Sequence, residues 1–302
     1  MRWRLPEWLG NQRGLALVMV LWGLALLSLM AVSSLSLERS ARGSAVDSQA
    51  RAEADALAEA GIDRAILSLL EPDSRQRWRI DGVPQELTFA GHRLRVSIQD
   101  EGGKIDLNAA DRELLVNLFI SQGVNPQAAD ELTDKVLDWR DPSDAHRLNG
   151  AKAEDYRMAG YPYGPRNGPF QSVDELKLVM DMTPELFKRV APAITVYSQR
   201  STINPATAPR EALLALPGFD TEKADAILAA RSGGGNLDAA AEPDTSATPP
   251  RQPLSLFGLA FSIHVELLDA GLSGYAKEVV ARITGDARQP YWILSCRDYD
   301  RG

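Results

Sequence analysis

The chain has 302 residues, 41 acidic against 33 basic side chains and a formal net charge of −8. An acidic chain gains no general attraction for nucleic acid, and one cysteine, Cys296, excludes an intramolecular disulfide. Around Cys296 the residues read as a terminal strand, so its thiol is expected to be a small buried hydrophobe. A nucleophilic thiol would need a positioned base, and none of His92, His146 and His264 stands in a motif that would supply one.

A basic leader carrying Arg2, Arg4 and Arg13 ends in Gly14, and an apolar run extends from Leu15 to Val32 with no charge before Glu38. About 20 apolar residues cross a hydrocarbon core, and the leading arginines keep the N-terminus cytoplasmic. An uncleaved signal anchor fits this pattern. A cleaved secretory signal fits less well, because its apolar core is about 7–15 residues and a small-residue site follows it. Arg13-Gly14-Leu15-Ala16-Leu17 also resembles the leader of type IV prepilins and pseudopilins. That resemblance implies cutting by a prepilin peptidase between Gly14 and Leu15, methylation of the new N-terminus, and retention of the apolar helix. The fifth mature residue is then Met19, where most members of that family carry Glu.

From Glu38 to Leu70 the sequence is polar but free of proline. Leu57, Ile62, Ala65, Ile66, Leu69 and Leu70 recur at helical spacing, so one helix is predicted over Leu15–Leu70. Gly43 and Gly61 are tolerable within it, at up to about 1 kcal/mol each. Strands are predicted at Trp78–Asp81, Glu86–Phe89 and His92–Ile98, the last from its alternation. Helical territory follows from about Ala109 to Arg231. Gly, Ala, Pro, Asp and Thr then dominate a segment that reads as a flexible linker. Three further runs, Leu259–Leu268, Tyr275–Thr284 and Tyr291–Arg297, carry a meander signature. Strands on both sides of a helical block suggest an insertion into one sheet.

Ile105-Asp106-Leu107-Asn108-Ala109 is echoed by Ile203-Asn204-Pro205-Ala206-Thr207, each leading to a helix, a glycine turn and a second helix. Asn108 or Ala109 and Thr207 are expected near the helix starts, where Asn and Thr cap. The pairs look like helix-hairpin-helix modules of DNA-binding proteins. Asn125 and Asp220 replace the second hairpin glycine, however, and a carboxylate repels phosphate. Packing modules are the preferred reading.

The densest polar stretch holds Asp138, Asp141, Asp144, Asn149, Glu154 and Asp155. Calcium takes about 6–8 oxygen ligands, and such a loop suits it, although the EF-hand order is absent. Helix ends and Asx turns, with Arg140 and Arg147 pairing the acids, are the plainer account and the preferred one. Ser172-Val173-Asp174-Glu175 reads as a capping box.

Taken together, Arg13-Gly14-Leu15, the non-Glu Met19, Asp100-Glu101-Gly102-Gly103-Lys104-Ile105-Asp106-Leu107-Asn108, Asp138-Trp139-Arg140-Asp141, Asn167-Gly168-Pro169-Phe170 and Ile203-Asn204-Pro205 resemble the K subunit of the type II secretion pseudopilus. The resemblance implies an α+β fold: a pilin-like long N-terminal helix packed on an antiparallel sheet, with a large inserted α-helical domain. The expected organisation is a leader over 1–14, a transmembrane part over 15–37, and a first part of the head over 38–105. An inserted α-domain over 106–231, a linker over 232–253 and C-terminal head strands over 254–302 complete it. The resemblance also implies calcium in the α-domain, with Asp138, Asp141, Asp144, Glu154 and Asp155 as candidate ligands. The implied partners are the minor pseudopilins I and J, prepilin peptidase, inner-membrane lipid, and secreted substrates or the outer-membrane channel; nucleic acid is not among them. The implied place is the bacterial inner membrane, single-pass, with the bulk periplasmic. No G-x-S-x-G or H-E-x-x-H occurs, so no catalysis is expected. A minor pilin of a type IV pilus is the alternative, and an anchored DNA-binding protein a weaker one.

Overall fold

The structure, a computed structural model, describes residues 12–232, 256–269 and 274–300, with side chains at all of these except 12–16, 31–47, 232 and 300. The expected leader before residue 12 and the expected linker beyond residue 232 lie outside the described residues. Two compact units divide the chain between Ala56 and Leu57.

Helix α1 is assigned to Gln12–Leu70, as its unbroken helix-friendly composition predicts. In the first unit, its described side chains from Leu17 to Met30 are all exposed. Among the described residues, no helix is long and apolar enough to cross a membrane.

The second unit begins with the amphipathic end of α1, where Leu57, Ala58, Ile62, Ala65, Ile66 and Leu69 are buried at helical spacing. Strands β1 (Gln85–Phe89) and β2 (His92–Asp100) form an antiparallel hairpin. Leu94, Val96 and Ile98 of β2 are buried in strict alternation. The chain then leaves this sheet through β3 (Ile105–Asp106), α2 (Arg112–Ser121), α3 (Pro126–Arg140), α4 (Ala153–Met158) and α5 (Pro184–Val190). It continues through β4 (Ile194–Thr195), which pairs in parallel with β3, and then α6 (Arg210–Leu213) and α7 (Thr221–Ser232). Strands β5 (Ala260–Leu267), β6 (Tyr275–Asp286) and β7 (Gln289–Asp300) return to the first sheet. Its order is β1-β2-β5-β6-β7, antiparallel throughout, so the helical block is inserted between two neighbouring strands.

Trp78–Asp81 is not a strand. Asp81 makes a single bridge to Gln99, with backbone bonds from Gly82 to Ile98 and from Asp100 to Ile80. Gly82, at φ +78, turns the chain away immediately afterwards.

The echo between 105–140 and 203–231 forms two helix pairs, α2 with α3 and α6 with α7. Gly123 and Gly218 make the turns at φ +86 and +74. Asn125 Oδ1 accepts the Ala128 N–H, and Asp220 Oδ1 accepts the Lys223 N–H, so both hairpin residues cap the second helix of their pair. The expected first caps are elsewhere. Asp111 caps α2, and Pro209 precedes α6. The block's core is built around Phe119, Trp139, Tyr156, Leu176 and Leu213, all buried.

Candidate functional site

The segment Asp100-Glu101-Gly102-Gly103-Lys104 lies where β2 ends and the helical block begins. Asp100 Oδ1 accepts the Gly102 N–H at 2.8 Å, closing a 3-10 turn over Glu101–Gly103. Asp100 Oδ2 accepts the Thr207 hydroxyl at 2.9 Å, which explains why Thr207 is not a helix cap. Glu101, 2% exposed, accepts from Lys104 Nζ at 2.7 Å and from the hydroxyls of Thr195 in β4 and Ser262 in β5. A Cβ at Gly103 would lie 2.7 Å from the Thr207 backbone, so only glycine permits this approach.

The next residues continue the junction. Asp106 accepts the backbone N–H groups of Asn108 and Gln199 and the Ser198 hydroxyl. Asn108 pairs reciprocally with the Phe170 backbone, at 2.9 Å to its carbonyl and 2.7 Å from its N–H. The segments 100–108, 167–170 and 203–207 thus meet as one bracket between sheet and helical block. Its buried carboxylates are consumed by hydrogen bonds, which suits fixing one layer on another rather than proton transfer.

The expected acidic cluster is dispersed. Asp138, fully buried on α3, bonds the Arg147 guanidinium through Oδ1 and the Arg147 N–H through Oδ2 at 3.1 Å. Asp141 follows the end of α3 and accepts the Ser143 N–H at 2.9 Å. That bond, with Lys152 and Arg147 nearby, holds its carboxyl below its ordinary value. Arg147 also reaches Asp141 at 3.4 Å. Asp144 is exposed. Glu154 pairs with Arg157, which lowers its pKa, and Asp155 accepts the Lys152 N–H at 2.8 Å in a box that starts α4. Only Asp138 and Asp141 are brought together, and a guanidinium lies between them.

Among the described residues, no group of three or more His, Cys, Asp or Glu could hold a metal. The donors as arranged do not fit calcium, because both Asp138 oxygens face Arg147. Arg140 does not pair the acids; it donates to the carbonyls of Leu107 and Ala110, and burial lowers its pKa. Sequence reasoning missed Lys152, whose side chain enters this region from the start of α4. Its place three residues before Asp155 was the available signal.

Ser172 makes no side-chain cap, and a 3-10 turn over Val173–Leu178 replaces the expected helix. Glu175, 7% exposed, instead accepts from Gln171 N at 2.8 Å, from Trp139 Nε1 at 3.3 Å and from Arg166. Trp139 stacks on Phe170 at 6.1 Å, joining this cluster to the Asn108 bracket.

Two surfaces are apolar and exposed. One lies on α1, where Met19 is 70% exposed within the row from Leu17 to Met30; Gly14 and Leu15 lie in the helix's first turns. The other is the edge strand β7, which exposes Trp292, Ile293, Leu294 and Cys296. Cys296 is therefore not the buried hydrophobe expected: β7 has a sheet neighbour on one side only.

The fold defines an α+β protein in which a helical block is inserted into an antiparallel sheet and fixed there by buried, internally paired carboxylates. The family matched over residues 95–199 is described as Type II secretion system (T2SS), protein K. Type II secretion system protein K of Klebsiella pneumoniae is 30% identical over 231 residues, 68% of this chain and 70% of that protein. The protein of the same name from Dickeya chrysanthemi is 29% identical over 120 residues, 38% of this chain and 33% of that one. A chain of the crystal structure of the GspK-GspI-GspJ complex from the enterotoxigenic Escherichia coli type 2 secretion system shares the fold. Its TM-score is 0.59 at 15% identity, over 83% of this chain and 98% of that chain. The present chain belongs to the type II secretion system protein K family.

Proposed function

We propose that this chain is a minor pseudopilin, a non-enzymatic subunit at the tip of the type II secretion pseudopilus, where it initiates or caps assembly. The observation that carries the reading is the insertion of residues 101–259 between adjacent strands β2 and β5. A sheet with a helix on it suits repeated stacking, whereas a helical block of this size makes a head too bulky for a thin shaft. A subunit that is never followed by another above it accommodates that bulk.

Met19 points the same way. Without a carboxylate at that position the subunit offers no partner for a neighbour's N-terminal amine. In this reading, prepilin peptidase cuts between Gly14 and Leu15 and the new terminus is methylated. The apolar part of α1 then anchors the chain once through the inner membrane, with the head in the periplasm. The partners are the I and J subunits, as in the complex named for the Escherichia coli neighbour. Exported proteins or the outer-membrane channel would meet the tip. Asn125 and Asp220 each already occupy one N–H in the first turn of the second helix of their pair, and Asp220 sets a carboxylate there, which favours assembly over DNA binding.

The test is co-expression of the full chain with candidate I and J subunits and with prepilin peptidase. A stable ternary complex, together with leader removal that Gly14→Ala abolishes, is the expected result. A chain that stays uncut and fails to co-purify with either subunit would refute the reading.

A further inference from the structure

We infer that the loop joining α3 to α4 carries its own cations, the Lys152 ammonium and the Arg147 guanidinium, and holds its shape without a divalent metal. Lys152 is only 8% exposed, which is unusual for lysine. Its Nζ donates to the carbonyl of Asp138 at 2.8 Å, the carbonyl of Asp141 at 2.8 Å, and Oδ1 of Asn167 at 3.2 Å. An ammonium has three donors and no acceptor, and each donor here has one oxygen.

One of those oxygens, of Asp138, belongs to the last turn of α3, and another, of Asp141, to the residue that follows it. Terminal carbonyls of a helix have no partner within it and carry the negative end of its dipole. A positive group there satisfies both needs, and Lys152 is placed to supply it. The third oxygen comes from Asn167, whose φ of +52 lies in the left-handed region that asparagine tolerates. The carboxylate side of the loop is closed separately. Arg147 bonds Asp138 and Asp141, Arg112 bonds Asp134 at 3.2 Å, and the Asn149 N–H reaches Asp134 at 3.4 Å. Gly150 passes so close that a Cβ there would collide with Asp138 Oδ2, so the backbone covers that side of the carboxylate.

An oxygen-rich loop at a helix end is what attracts calcium. Here the carbonyl oxygens already bind a cation attached to the chain, and the nearest carboxylates bind another. The family resemblance implies calcium; the side chains present replace its charge from within.

The experiment is thermal unfolding of the full chain in detergent, with excess EDTA and with millimolar calcium chloride, beside Lys152→Met. The wild type is expected to melt at the same temperature in both media, and Lys152→Met, which keeps the apolar stem but leaves three oxygens without a donor, several degrees lower. Calcium raising the wild-type midpoint, or a Lys152→Met midpoint equal to wild type, overturns the inference. Should Lys152→Met fail to fold, amine acetylation of the native wild type decides. Lys152 is expected to be spared while exposed Lys177 and Lys188 react, and modification of Lys152 at their rate overturns the inference.

Discussion

A Cβ placed on Gly61 of α1 would lie 2.9 Å from a methyl carbon of Val265 in β5 and 3.5 Å from one of Val96 in β2. Val265 and Val96 are register partners, so the helix meets the paired strands β2 and β5 through a residue without a side chain. The glycine costs helix propensity and permits that approach. Gly61→Leu is therefore expected to lower stability by about 1–3 kcal/mol through overpacking. Urea unfolding followed by circular dichroism measures it; a more stable variant would show that propensity outweighs the close contact.

Glu101 ties three parts of the chain together through Lys104, Thr195 and Ser262. Removing one partner of a buried pair strands the other charge. Glu101→Ala is expected to cost about 3 kcal/mol or more. Because the residue joins the helical block to β5, limited proteolysis should cut the variant between these elements faster than wild type.

Burial raises the Tyr156 phenol well above its ordinary pKa, although its oxygen accepts the Met180 N–H at 2.9 Å. The native state therefore keeps this proton at pH values where an unfolded tyrosine, near about 10, loses it. Its contribution to stability is present below that value and declines as pH rises above it. Ultraviolet titration of the native chain should show a phenol that ionises only on unfolding. Tyr156→Phe should remove that component and cost about 1–2 kcal/mol, since the Met180 N–H loses its partner.

Asp269 receives the Arg93 N–H at 2.9 Å and His92 Nδ1 at 3.1 Å, pinning the end of β5 to the start of β2. The backbone bond, followed by those from the Arg93 and His92 side chains, holds its carboxyl below the usual range. A depressed native pKa stabilises above the unfolded value, near about 3.9, and that contribution is lost as pH falls through the native value. The urea midpoint of wild type should thus drop more steeply on acidification than that of Asp269→Asn. Equal slopes would remove the assignment.

Much of the architecture was legible because burial is periodic along short stretches. Apolar positions from Leu57 to Leu69 follow the helical repeat, and Leu94, Val96 and Ile98 follow the pleat. The insertion was legible too, since strand patterns resume beyond the helical block. The polar side chains were read less well. Asn108 and Thr207 stand just before helices and look like caps, yet Asn108 bonds Phe170, 62 positions away, and Thr207 bonds Asp100, 107 away. Ser172 had a capping pattern, but Glu175 turned to Trp139 and Arg166. Asp138, Asp141, Asp144, Glu154 and Asp155 are close in sequence, and only two of them converge on Arg147.

The sequence by itself determined the helical repeat over Leu57–Leu69, the alternating strands, the helix pairs with their glycine turns, and an acidic chain with no intramolecular disulfide. Tertiary structure alone decided which group each buried carboxylate meets, that Lys152 closes the end of α3, and that Cys296 lies exposed on an edge. The physical reason is range. Backbone preference and apolar spacing act over a few residues, whereas a buried charge is satisfied only by whichever donor the folded chain brings to it; Ser262 reaches Glu101 across 161 residues.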